Sequence, residues 1–264
     1  MKTNYKVGDV MEQVNWNQFS TYYDKISKLE REYTINQINC INVTSEDTVL
    51  DVGCGPGRIS IPIAKRAKSV TALDAFEDML IICRENAVAE GVNNLNTKLL
   101  DWKDAAINET IDKHDIVIAS RSLGMVEPEK LNAAANKMVV MIGWVKDESP
   151  SIGSLFSGIL DDNANSFSAS DDPVRNYISG YKIAFNKVYN MGALPNVLVV
   201  KDGFKRNYSS CEEAYKDLSD LRQFPLDKMN IFKDNVDKFL ETEKDGSITY
   251  RCERWSYVLW WKAI

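Results

Sequence analysis

The sequence predicts an α/β fold: a mostly parallel sheet of seven strands flanked by helices, with a helical elaboration near the C-terminus. Two observations carry this. Short apolar runs alternate with helical stretches from Thr48 to Trp144, and strand–helix–strand order implies parallel pairing through right-handed crossovers. The runs are continuous rather than alternating, which suits strands covered on both faces. A chain of 264 residues, 44% hydrophobic and 27% charged, can build one sizeable core.

The elements follow in order. Trp16 to Asp24 reads as an amphipathic segment with Trp16, Phe19 and Tyr23 on one helical face. Thr48–Val52 is the first strand, followed by a glycine cluster. Ile59–Lys68 reads as a helix, with Pro62 tolerable only in its first turns. Ser69–Leu73 is the second strand. Phe76–Glu90 is the clearest helix, because Phe76, Met79, Leu80, Cys83 and Ala87 share a face and Gly91 ends it. Asn96–Leu100 and Asp115–Ala119 are further strands. Pro128 opens a helix where its missing N–H is harmless, and Lys137–Trp144 is the fifth strand.

Beyond Val145 the pattern changes. Ser149–Ser170 is rich in Ser, Gly, Asp and Asn and reads as a loop. Asp172-Pro173 caps a helix expected to run to about Met191. Asn196–Val200 is a strand, Ser209-x-x-Glu212 a capping box, Asp227–Glu243 a helix and Ile248–Trp261 a final strand or strand pair.

Composition excludes some functions. Acidic residues outnumber basic ones, 38 to 32, for a net charge of −6, and no long Lys/Arg run occurs. A grip on nucleic-acid backbone would call for a basic surplus, so nucleic acid is not the expected partner. Five scattered cysteines without a C-x-x-C pair, and a single histidine, His114, argue against a disulfide framework or a His/Cys metal centre. Met1–Val10 is polar and the longest apolar run, Met138–Val145, is far too short to span a bilayer. The expectation is a cytoplasmic protein without a membrane partner and without a metal.

The central signal is Val49-Leu50-Asp51-Val52-Gly53-Cys54-Gly55-Pro56-Gly57-Arg58. A strand ends, glycines turn the chain, and a helix begins with its N–H groups free for a ligand. A phosphate-gripping loop would end Gly-Lys-Ser/Thr, but Gly57-Arg58-Ile59 stands here. A dinucleotide fingerprint would need glycine at position 58. G-x-G-x-G preceded by Asp51 instead resembles the first motif of the class I S-adenosylmethionine-dependent methyltransferases, and the likeness continues in order to about Met125.

That resemblance implies a Rossmann-like sheet and S-adenosylmethionine as cofactor. It implies that Asp51 holds the cofactor's ammonium and that Gly53, Cys54, Gly55 and Gly57 lie along its methionine and ribose. Asp74 would accept from both ribose hydroxyls, as an acceptor-only carboxylate can. Ala75 and Phe76 would border the adenine, Asp101 would accept from its amino group, and Trp102 would pack nearby. Ser120 would lie where the methyl group points. The family has no universal catalytic residue, so none is assigned.

The acceptor is read from the remainder. Ser120-Arg121-Ser122-Leu123 stands where amino-group methylases of nucleobases or glutamine often carry Asn-Pro-Pro-Tyr. Arg121 could pair with a substrate carboxylate or phosphate. The Tyr-Tyr-Asp segment resembles lids of small-molecule methyltransferases, with Tyr23 toward the substrate. The expectation is one domain, 1–264. Residues 1–45 form a helical lid, 46–145 the cofactor-binding half, and 146–264 the substrate-side half with a helical insert at about 205–245. It would methylate a small-molecule acceptor, with a homodimer open. RNA or protein methylation, or cofactor sensing without transfer, are the rival readings.

Overall fold

Alternate residues of the central strands enter two different apolar layers. In the computed structural model, which describes residues 16–145, 152–160 and 180–264, Leu50, Val117, Ala119, Val139 and Met141 face one layer with Leu131, Val188 and Trp261. Val49, Ile116, Ile118, Val140 and Ile142 face the other with Ile38, Ile59 and Ile63. The period-two geometry of a strand buries both sets when helices cover both faces, and this explains the continuous apolar runs.

Two N-terminal helices, α1 (Trp16–Leu29) and α2 (Arg31–Ile38), precede β1 (Thr48–Val52), α3 (Ser60–Ala64), β2 (Ser69–Asp74), α4 (Glu77–Ala89), β3 (Leu95–Leu99) and β4 (His114–Ser120). Then come α5 (Pro128–Ala134), β5 (Ala135–Trp144), α6 (Tyr181–Asn190), β6 (Asn196–Tyr208), α7 (Cys211–Ser219), α8 (Met229–Asp237), β7 (Leu240–Thr242) and β8 (Ile248–Lys262). The sheet order is β3-β2-β1-β4-β5-β8-β6, with β7 also on β8. Strands β1 to β5 pair in parallel, and β8 is antiparallel to β5, β6 and β7.

The sheet therefore has eight strands among the described residues, not seven: the expected seven-strand path plus the short β7. The reason is the length of β6 and β8. They pair from Asn196↔Trp260 to Tyr208↔Ile248, well past the end of β5, and β7 takes the place beside β8 that β5 vacates. Leu240–Thr242 thus joins a strand rather than continuing the helix expected to Glu243. The ribbon is covered by a third apolar cluster, with Phe156, Phe204, Leu218, Phe232 and Tyr250 at its centre and Tyr22, Ile26 and Leu29 of α1 against it.

Local signals place the remaining boundaries. Helix α3 is half its expected length, because the chain turns at Lys65–Lys68 before β2. The capping box sits one residue later than expected. Ser210 Oγ accepts from Glu213 N–H, while Glu213 Oε2 accepts from Ser209 N–H. The loop and helix expected over 149–191 fall largely outside the described residues. Of them, Ile152–Phe156 forms a short 3-10 turn and Tyr181–Asn190 is helical. No helix of the described residues is long and apolar enough to cross a membrane. His114, at the strand end away from the glycine loop, is held by Thr71 Oγ1 (2.8 Å) and the Asp112 carbonyl (2.9 Å).

Candidate active site

The C-terminal ends of β1, β2 and β4 converge on the glycine loop, where open parallel sheets bind ligands. The loop's own N–H groups are spoken for. Gly53 and Cys54 N–H both donate to the Leu73 carbonyl (2.8 and 3.0 Å), Gly55 N–H to Asp74 Oδ2 (2.9 Å) and Gly57 N–H to the Cys54 carbonyl (3.1 Å). The loop is not a phosphate cradle, which works through such N–H groups; it offers shape and side chains.

The glycines serve different ends. Gly53 has φ +74°, and a Cβ there would sit 2.4 Å from Ser122 Cβ, whose hydroxyl donates to the Val52 carbonyl (2.6 Å). The loop after β4 closes onto Gly53 itself. A Cβ on Gly57 would strike Ile61 and Cys83. Only Gly55, φ +54°, has nothing within 4 Å where its side chain would stand, so this is the glycine that leaves room for a ligand.

Asp51 is 1% exposed. Its Oδ2 accepts from the Ser60 hydroxyl, and its Oδ1 is buried without a hydrogen-bond partner. Burial pushes its pKa up to about 6, against the pull of Ser60 and Arg58. A buried unsatisfied acceptor is costly, and an ammonium would satisfy it. Asp74 uses one oxygen on Gly55 N–H and the other on Phe76 N–H (3.0 Å). Each oxygen keeps a further lone pair for a ribose hydroxyl. The N-cap of α4 is Phe76, not Asp74, and Phe76 is half-buried beside the exposed Ala75. Asp101 accepts from Lys103 N–H (3.0 Å) and stays half-exposed. These residues fit the group the sequence implied: an acceptor for an ammonium, an acceptor pair for a diol and an open glycine between them.

Two of the expected residues are buried. Trp102 packs in the main core, with the Lys130 ammonium 4.9 Å from its ring centroid. Cys54 is also buried, grouped with Ala72, Leu80 and Cys83 under the loop.

Arg121 is engaged within the protein. Its guanidinium donates to Glu30 Oε2 (2.7 Å) and Asp202 Oδ2, and lies 4.7 Å from the Trp144 ring centroid. Asp202 also accepts from Ser256 Oγ (2.6 Å) and Gln37 Nε2 (3.1 Å). Arg254 pairs with Glu30 and lies 5.1 Å from the same Trp144 ring centroid. Burial alone would raise the Asp202 carboxyl, but Arg121, Arg254 and Arg58 hold it well below the usual range. Arg121 sits at φ +53°, uncommon for a side chain with a Cβ and typical of sites where surroundings fix the backbone.

Arg58 completes this floor. It donates to Thr34 Oγ1 (3.2 Å), Gln37 Oε1 (2.8 Å) and Ser120 Oγ (2.6 Å), tying α2 to the end of β4. Sequence reading missed Arg58, Glu30, Asp202 and Arg254. Their separation of up to 224 residues leaves no local pattern to find. Tyr23 packs edge-on to Tyr22, 6.2 Å between centroids, and burial raises its hydroxyl pKa, keeping it neutral. Helix α1 is anchored over the loop. Asn86 Nδ2 of α4 donates to both Asp24 Oδ1 (2.7 Å) and the Pro56 carbonyl (3.1 Å).

Comparisons agree with this geometry. A family profile described as "Methyltransferase domain" matches residues 49–142. An uncharacterized protein of Haemophilus influenzae is 26% identical over 88% of this chain and 82% of its own length. A ubiquinone biosynthesis O-methyltransferase of Hydrogenovibrio crunogenus is 31% identical over 53% of this chain and 61% of that enzyme. Shorter matches carry the names of rRNA and cobalt-precorrin methyltransferases. The crystal structure of the YcgJ protein of Bacillus subtilis shares the fold, with a TM-score of 0.53 at 14% identity over 88% of this chain and 99% of that one. The glycine loop and the carboxylates at the ends of β1 and β2 thus lie within the span 49–142 that matches the methyltransferase-domain profile, on the Rossmann-like sheet of the class I S-adenosylmethionine-dependent methyltransferases.

Proposed function

We propose that the protein transfers the methyl group of S-adenosylmethionine to a small-molecule acceptor. The observation that carries this reading is the lid: α1 is pinned across the glycine loop through Asp24, Asn86 and Pro56. A site roofed by its own helix suits an acceptor small enough to be enclosed. The acidic net charge and the partial likeness to a ubiquinone-pathway O-methyltransferase support the same reading.

In this proposal Asp51 holds the ammonium, Asp74 the ribose diol and Asp101 the adenine amino group. Gly53, Gly55 and Gly57 shape the channel, Ala75 and Phe76 border the base, and Ser120 marks the transfer end. When bound, the cofactor supplies an electrophilic methyl on a sulfonium. The protein's contribution is position and exclusion of water, which intramolecular chemistry shows to be large. Tyr23, Tyr22 and the Ser120–Ser122 loop line the acceptor side. Arg121 contributes there by holding Glu30 and Asp202 rather than by binding substrate.

The test is label transfer. The protein is incubated with methyl-labelled S-adenosylmethionine and a fractionated bacterial extract. Label is expected in the small-molecule fraction. Label appearing only in RNA or only in protein would overturn the acceptor class while leaving methyl transfer standing.

A further inference from the structure

We propose that Arg58 receives the carboxylate of the cofactor's methionine head, so that Asp51 and Arg58 together recognise both charges of that amino acid. The proposal rests on the cofactor reading above and deepens it.

Three guanidinium groups, Arg58, Arg121 and Arg254, share a largely buried space with Glu30 and Asp202. Both carboxylates are spent on Arg121 and Arg254. Among the described residues Arg58 donates only to neutral oxygens: those of Thr34, Gln37 and Ser120. A buried cation bonded only to neutral groups is expensive, and an anion placed against it recovers that cost. Asp51 lies within electrostatic reach of Arg58, yet its hydrogen bond goes to Ser60. The loop therefore carries one negative and one positive side chain, at its two ends, that are not bonded to each other.

The main chain offers a carboxylate little. The N–H groups of Gly53, Cys54, Gly55 and Gly57 are consumed within the loop. A carboxylate lying along it must find a side-chain donor, and Arg58 has the fork geometry that suits one. A zwitterionic head adds no net charge: its ammonium meets the orphaned Asp51 Oδ1 and its carboxylate meets Arg58. Ser120, bonded to Arg58 at 2.6 Å, sets the guanidinium at the end of β4 and acts as its positioning residue.

Calorimetric titrations with three ligands test this. They are S-adenosylhomocysteine, its decarboxylated analogue and 5′-methylthioadenosine, which lacks the amino-acid head. The wild type is expected to favour S-adenosylhomocysteine over the decarboxylated analogue by roughly tenfold or more, the size of a charge-assisted hydrogen bond. Arg58→Gln should erase that preference while leaving methylthioadenosine binding unchanged, and Arg58→Lys should restore part of it. An equal loss for all three ligands would make Arg58 merely structural and overturn the proposal. So would a wild type indifferent to the carboxylate, a result that needs no variant to fold. A wild type that binds none of the three overturns the cofactor reading as well, so the two failures are distinguishable.

Discussion

Asp51 carries a burial cost that the proposed ammonium contact would offset. Its folded pKa of about 6 lies above the ordinary 3.8, with burial as the main cause. The sign follows: this group favours the folded state most when protonated, below about pH 4, and the benefit is lost as pH rises through about 6. At neutral pH the ligand-free protein carries an ionised, half-satisfied carboxylate at a cost on the order of 3 kcal/mol. Asp51→Asn should therefore raise the Tm of the ligand-free protein at pH 8 and flatten its change between pH 5 and 8. The same variant should weaken S-adenosylhomocysteine binding at least tenfold. Thermal melts at the two pH values, with a titration, check both; a variant less stable than wild type at pH 8 would show that Asp51 is a structural group. The residue scale also separates glycines that look alike in sequence. Gly53 yields to Ser122 and Gly55 to open space, a difference the repeating motif does not express.

Helix α1 is legible as amphipathic, but its role depends on what it rests upon. Arg222 sits over Phe19 and Tyr22, at 5.1 and 5.5 Å from their ring centroids, and Lys25 reaches the Asp220 carbonyl. Asn86 binds Asp24 from the other side. Helix α1 is thus held between α4 and the C-terminal insert, through partners 62 and 195 residues away in sequence. Removing one buried-edge hydrogen-bonding group costs about 1 kcal/mol. Asn86→Ala should speed amide exchange across Trp16–Leu29 and weaken S-adenosylhomocysteine roughly fivefold, with little change in the exchange of β1 and β4. Unaltered exchange in α1 would mean that Asn86 does not hold the lid.

Across the whole molecule, the ion cluster joins parts that the chain order keeps apart. Glu30 precedes α2, Arg58 follows the glycine loop, Arg121 follows β4, Asp202 lies on β6 and Arg254 on β8. Glu30 and Asp202 are 1% and 0% exposed, so solvent screens them little. Breaking a buried pair by removing one charge typically costs about 3–5 kcal/mol, because the partner is left uncompensated. Asp202→Asn should lower the Tm by roughly 6–20 °C, on a scale of about 2–4 °C per kcal/mol for chains of this size. Urea melts and calorimetry measure it; a change under about 1 kcal/mol would show that the cluster relaxes around the loss. The helical insert between β6 and β8 has its own apolar cluster, and Tyr22, Ile26 and Leu29 of α1 pack against it, so α1 and the insert share one packed unit.

What the sequence determined by itself was local and periodic. The strand runs, the turn residues Gly53, Gly55 and Gly57, Pro128 at a helix start and the acids ending β1 and β2 all follow from rules that act over a few residues. They placed the parallel sheet, the cofactor loop and the carboxylates Asp51 and Asp74. The tertiary structure decided what depends on distance. It made Arg121 a partner of Glu30 and Asp202, buried Trp102 in the core and let β6 and β8 outrun β5 so that β7 could join them. It also left Arg58 against neutral groups beside Asp51. Burial and charge pairing are properties of neighbours in space, and a side chain's neighbours here come from segments up to 224 residues apart.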